Sequence, residues 1–198
     1  TDRPKVAIFG DLYVRDNDLF NQDLVKYVEE NGGEVITTPY SEYIKIIVDP
    51  HTERSIKERN YFDYVKVKFL SSLIPLVEEK FNKLLKPYKG DSTAKSSEQV
   101  DEWLDKFGLN VLHRGESIEN ILKIYSLIHK YPDLDLFIQT NPSYCCPSLI
   151  TEAMTSRIEE ITGIPVVSIE YDGTMGFKNE DVIPYLKYRK KRTVFQQS

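Results

Sequence analysis

Two cysteines stand side by side in 140-TNPSYCCPS-148, and the chain has no others. Adjacent thiols followed by a proline are suited to ligating a soft metal, attacking an electrophile, or closing on each other as a strained vicinal disulfide. Proline is favoured at the first position of a helix, where its missing N–H costs nothing. The spacing therefore places Pro147 at the helix start, Cys146 at the N-cap and Cys145 just before it. The free amides of a helix N-terminus stabilise negative charge, which favours the thiolate, the form that ligates metals and acts as a nucleophile. The alternative is a small, inert, buried thiol, the usual fate of an isolated cysteine.

The rest of the chain limits these choices. A redox CxxC motif is absent. Structural zinc takes four Cys or His ligands, and the histidines, His51, His113 and His129, are scattered. A [4Fe–4S] cluster takes four thiolates, so two neighbouring cysteines need thiols from another domain or subunit to complete one. Within the same loop, Asn141, Ser143 and Tyr144 are candidate ligand contacts. So are Gly10, Asp11, Arg15, Asp16 and Asp18 in 8-IFGDLYVRDND-18, although this stretch has neither GxGxxG nor a Walker lysine. Glu170 and Asp172, at the end of the last strand, are candidates for acid–base work, and Asp172 for ligand contact; Asp172-Gly173 also reads as a turn. The basic run 187-KYRKKR-192 suits contact with phosphate or nucleic acid, but so near the end of the sequence it reads first as a solvated helix terminus.

These residues must be positioned by secondary structure. Residues 5–10 read as a buried strand, 11–18 as a polar loop and 19–33 as a helix with Leu19, Phe20, Leu24, Tyr27 and Val28 on its apolar face. Asn31-Gly32-Gly33 stop that helix, and 34–38 is a second strand closed by Pro39. From about 44 to 107 no strand pattern appears; the region reads as helical, with Pro75 interrupting one helix, a polar loop at 89–99 and a short helix at 100–107. The pattern then resumes with a helix at 117–131 capped by Ser117 and a strand at 134–140. An amphipathic helix follows at 148–163, burying Leu149, Ile150, Ala153, Met154, Ile158 and Ile161 and capped by Gly163. A strand at 164–171, a turn at 172–174 and a final helix at about 179–190 complete it. The expected fold is α/β: a single domain over 1–198 with a doubly wound, mostly parallel, Rossmann- or flavodoxin-like sheet and a helical insertion between the second and third strands. Ligands of such sheets bind outside the carboxyl ends of the strands, which is where the two cysteines fall.

Composition agrees with a globular domain: of 198 residues, 40% are hydrophobic and 29% charged. A net charge of -5 argues against nucleic acid as a partner, and no apolar run approaches a membrane span. No charged-then-apolar segment opens the chain, and two cysteines build no disulfide framework, so a reducing cytoplasm is expected. The chain starts at Thr1 rather than Met, which leads to the expectation of a piece of a longer multidomain protein or a trimmed N-terminus.

Taken together, 5–43, 136-LFIQTNPSYCCPSLITEAM-154 and 163-GIPVVSIEYDGT-174 resemble the 2-hydroxyacyl-CoA dehydratase (D-component) superfamily, in particular the C-terminal domain of large CoA-enzyme activase-related proteins. The matching elements are the aromatic-cysteine-proline loop Tyr144-Cys145-Cys146-Pro147, the helix after it, Gly163-Ile164-Pro165, and Glu170-Tyr171-Asp172. The resemblance covers most of the chain except the helical middle. It implies a cytoplasmic iron–sulfur protein whose [4Fe–4S] cluster is shared between domains or subunits, with Cys145 as the cluster cysteine of this loop. It further implies an ATP-dependent activase as electron donor and an acyl-CoA as substrate, the parent protein being a lyase or an ATP-coupled reductase of the double-cubane type. Cys146 falls where the dehydratases often lack cysteine. The family's remaining cluster cysteines and the activase's nucleotide-binding glycines are absent here, so this domain alone is expected to be inactive. The contrasting expectation is a non-catalytic, flavodoxin-like binding or scaffold module without a cluster.

Overall fold

The computed structural model describes residues 3–38, 52, 55–69, 72–73, 97–110, 116–174 and 176–188. The chain divides into two compact units, residues 1–37 with 124–198, and residues 38–123. The helical insertion expected at 44–107 lies within the second unit. Four strands, β1 (Lys5–Gly10), β2 (Glu34–Thr37), β3 (Leu134–Pro142) and β4 (Val166–Tyr171), form one sheet in the order β2-β1-β3-β4. Every pairing is parallel. The chain steps outward from β1 to β2, returns past β1 to β3, and continues to β4. With the right-handed crossovers general to parallel strands, this order puts helices on both faces, the doubly wound α/β arrangement.

The central strands owe their position to composition. In β1 five of six residues are buried, and in β3 only Asp135 and Pro142 are partly exposed. A parallel strand covered on both faces reads as such a near-continuous apolar run. Val6, Ile8, Leu136, Ile138, Val167 and Ile169 pack on one face with Val14, Leu24, Val28, Val182 and Leu186. On the other face Phe9 and Phe137 meet edge to face, their centroids 5.8 Å apart.

The first helix expectation is corrected. Residues 11–18 are not a loop throughout: α1 spans Leu12–Asp16, and the Asp11 carboxylate accepts from Val14 N at 2.8 Å as its N-cap. The helix expected over 19–33 is reduced to α2, Leu24–Glu30. Leu19 is 93% exposed and does not join its apolar face.

In the second unit, residues 55–57 and 61–69 are helical, and α3 spans Ser97–Asp105. It begins within the stretch read as the polar loop 89–99. Trp103 and Leu104 are buried, and the Trp103 indole donates to Ile121 O at 3.1 Å. Pro39, His51, Pro75, His113 and most of 38–43 and 70–96 lie outside the described residues.

Helix α4 spans Glu116–Lys130, so Ser117 falls inside the helix rather than at its cap. The helix expected over 148–163 is two: α5 (Cys146–Ala153) and α6 (Thr155–Thr162), broken at Met154. Their burial also differs from the amphipathic reading. Leu149 and Ile150 are half exposed and Ala153 is exposed, while Ser148 and Thr151 are buried. Ile158 is buried and Gly163 caps α6 in the left-handed region (φ 67°), both as expected. The final helix is a 3-10 turn (Asn179–Val182) running into α7 (Ile183–Lys187); 189–190 lie outside the described residues.

At the carboxyl end of β1, Gly10 adopts φ 115°, and a Cβ there would sit 2.4 Å from Thr140 O. The same crossing is fixed by Asp11 N donating to Thr140 O at 3.0 Å. Gly10→Ala is expected to destabilise the protein by more than about 3 kcal/mol through backbone overlap added to strain. Gly32→Ala, at φ 90° with nothing within 4 Å, is expected to cost only about 1–2 kcal/mol. Urea unfolding of the two variants checks the difference.

Candidate functional site

The cysteine loop sits directly past β3, at the edge where this fold class binds ligands. Cys145, not Cys146, is the N-cap of α5; Cys146 is the first helical residue and Pro147 follows it. The shift is one residue, and it arises because proline is tolerated anywhere in the first helical turn, where its N–H has no intrahelical partner. Cys145 O accepts from Leu149 N at 3.0 Å, while its side chain makes no capping hydrogen bond. Both thiols are free; Cys145 is partly exposed and Cys146 exposed. Tyr144, at φ 62° and 91% exposed, turns the chain into the helix.

Beneath the loop lies a polar layer that the chemistry-first reading of the sequence missed. Gln139 is fully buried in β3; its Nε2 donates to Asn141 Oδ1 at 3.0 Å and to Ser148 O at 2.9 Å. Asn141, also buried, donates to Ser168 Oγ at 2.9 Å. Asn141 is therefore a brace between β3 and β4 rather than a surface contact. Two buried oxygens in this layer, Gln139 Oε1 and Ser143 Oγ, have no hydrogen-bond partner among the described residues. The available signal was a glutamine inside the apolar run 134-LDLFIQT-140, since a polar side chain in a doubly covered strand needs a partner.

A second group forms past β1 and β4. Tyr13, Leu19 and Phe20 form one wall of a cleft of about 230 Å³, with Asp172, Thr174 and Lys178 on the other. Asn21 and Asn179 hold its base. The Asn21 amide donates to Val14 O and Arg15 O and accepts from Leu24 N. Asn179 donates to Asn21 O and Gln22 O and accepts from the Tyr171 hydroxyl at 2.7 Å. Burial pushes the Tyr171 phenol above its ordinary value. Gln22 and Asp23 both take left-handed backbone, φ 57° and 58°, which costs on the order of 1 kcal/mol for each. Gln22 holds the facing loop with both amide atoms, donating to Gly176 O and accepting from Lys178 N, each at 2.8 Å.

The sequence-derived candidates thus separate. Arg15 is buried, its guanidinium in two contacts with Asp16 at 2.7 and 2.8 Å, so it braces α1 rather than reaching outward. Asp11 is a cap, and Gly10 is the close crossing over β3. Ser143 N donates to Tyr171 O at 3.3 Å, which ties the cysteine loop to the end of β4. Asp172 closes a turn, accepting from Thr174 N at 3.0 Å and Thr174 Oγ1 at 2.7 Å, and pairs with Lys178 at 3.1 Å. Among the described residues no group of three or more His, Cys, Asp or Glu side chains is placed to hold a metal, and no helix is long and apolar enough to cross a membrane.

Fold and site together define a Rossmann-like α/β protein with two adjacent accessible thiols at the carboxyl edge of its sheet. No family model, curated protein or solved structure matches the chain.

The Thr174 hydroxyl and amide, and then Lys178, hold the Asp172 carboxyl well below the usual carboxylate range. A carboxyl depressed in the folded state contributes stability that is present above its unfolded value of about 4 and is lost as pH falls. Thermal melts between about pH 5 and pH 2 should therefore show a shallower loss for Asp172→Asn than for the wild type. Asn179→Ala removes the donor to one buried and one partly buried carbonyl and the acceptor of a buried hydroxyl, and is expected to cost about 2–4 kcal/mol in urea unfolding.

Proposed function

We propose that this chain is an iron–sulfur-bearing domain of a 2-hydroxyacyl-CoA dehydratase-like or double-cubane-type enzyme. A [4Fe–4S] cluster is shared between Cys145 and thiols of other domains or subunits, an ATP-dependent activase supplies electrons, and an acyl-CoA is the substrate. The observation that carries this reading is accessibility: neither cysteine is buried, whereas a thiol kept only for packing is among the most buried of residues. The donor set fits part of such a cluster. Two thiols stand at a helix N-terminus, and the chain's two cysteines fall short of four.

In this reading Cys145, with its sulfur unused by the cap, is the ligand. Cys146 stands beside it as a second thiol. Gln139 holds the first turn of α5 through Ser148 O, and Asn141 ties β3 to β4, so the loop is presented from a braced base. Tyr144, Leu149 and Ile150 are exposed around the thiols, which suits a face that another domain covers. When bound, such a cluster supplies single electrons at low potential.

The test is anaerobic iron and sulfide analysis of the protein together with its partner domains, wild type beside Cys145→Ser and Cys146→Ser. Iron and sulfide should be lost with Cys145, and the isolated chain should hold no stable cluster. Iron that is absent from the wild type, or indifferent to Cys145→Ser, overturns the proposal.

A further inference from the structure

The cleft past β1 and β4 is separate in its residues from the cysteine loop, and three observations bear on what it binds. Its walls differ in chemistry. Tyr13 and Phe20 sit edge to face with centroids 6.1 Å apart, and Tyr13 is 67% exposed, so its ring serves solvent-facing space rather than the core. The opposite wall carries the Asp172 carboxylate; each oxygen has a partner, but a carboxylate has about four acceptor positions and retains capacity. The cleft's cation, Lys178, already faces Asp172 at 3.1 Å, so the walls do not favour an anion. Finally, the base is held in strained left-handed backbone at Gln22 and Asp23 by side-chain bonds from Asn179 and Gln22. Strain of this kind, over-determined by its surroundings, accumulates at ligand sites.

Size narrows the class. Sites for drug-sized ligands run about 300–1,000 Å³, so a cleft of about 230 Å³ takes a single ring system with a short substituent. An aliphatic ligand would leave the remaining acceptor position of the Asp172 carboxylate unused, and a phosphate would meet that carboxylate directly. A flat ring with an amino edge satisfies both walls.

We propose that this cleft binds an uncharged, planar heteroaromatic group of the purine-nucleoside class, stacked on the Tyr13 ring with Phe20 set at an angle beside it and with its amino edge donating to Asp172. The site is independent of the cluster reading. Calorimetric titration of the full chain with adenosine should give saturable binding with a Kd on the order of 0.1 mM. Purine riboside, which lacks the amino donor, should bind about tenfold more weakly, because a carboxylate placed for a donor rejects the analogue without one. Tyr13→Ala, a change at an exposed side chain, should weaken adenosine about tenfold, as loss of one stacking partner does. Asp172→Ala, which removes the acceptor, should abolish the preference for adenosine over purine riboside. Cys145→Ser should leave all of these values unchanged, so failure of the cluster proposal and failure of this one are read separately. No saturable binding, equal binding of the two nucleosides, or binding indifferent to Tyr13→Ala and Asp172→Ala overturns the assignment.

Discussion

The carboxyl edge of this protein depends on one close crossing, where β1 leaves the sheet over Thr140 of β3. Gly10 has room for no side chain there, and Asp11 N closes the gap with a hydrogen bond to Thr140 O. From that point the chain after β1 turns into α1, and the chain after β3 continues two residues further as strand before turning to the cysteines. In sheets of this order β1 and β3 border the point where the winding direction reverses, and ligand crevices open there. Here the backbones of β1 and β3 run close together to that point, with the thiols past β3 and a cleft past β1 and β4.

Buried amides support both features. Gln139 and Asn141 brace the cysteine loop, and Asn21, Gln22 and Asn179 brace the cleft. Backbone carbonyls that no helix or sheet ladder uses must find donors when buried, and a side-chain amide offers two N–H groups on one planar unit. That explains why the residues that shape the edge are asparagine and glutamine rather than ionisable groups. It also explains why a search for catalytic residue types passes over them.

The strands and their parallel order were legible in the sequence because doubly covered strands leave unbroken apolar runs, as in 5-KVAIFG-10 and 134-LDLFIQT-140. The placement of the cysteines at a strand end and helix start was legible from Pro147. What was not legible depended on contacts far apart in sequence. Leu19 and Phe20 match helical spacing with Leu24, yet Asn21 captures the carbonyls of Val14 and Arg15 and delays the helix. Leu149 and Ile150 look like a core face, but Ser148 and Thr151 are the buried positions, because Gln139 needs the Ser148 carbonyl. The aspartates were ambiguous for a similar reason: Asp11 and Asp172 serve the backbone within three residues of themselves.

The sheet's connectivity also governs how the chain reaches this structure. The Lys5 amide meets the Asp135 carboxylate across 130 positions, whereas β1 and β2 close over about thirty, from Lys5 to Glu34. Closing a long loop delays non-local pairing more than it weakens the final state. The β1–β2 pairing is therefore the more local of the two, and the β1–β3 pairing that carries Gly10 has the longer loop to close. The compact unit of residues 38–123 falls within that loop, so the sheet is split in sequence where it is continuous in space.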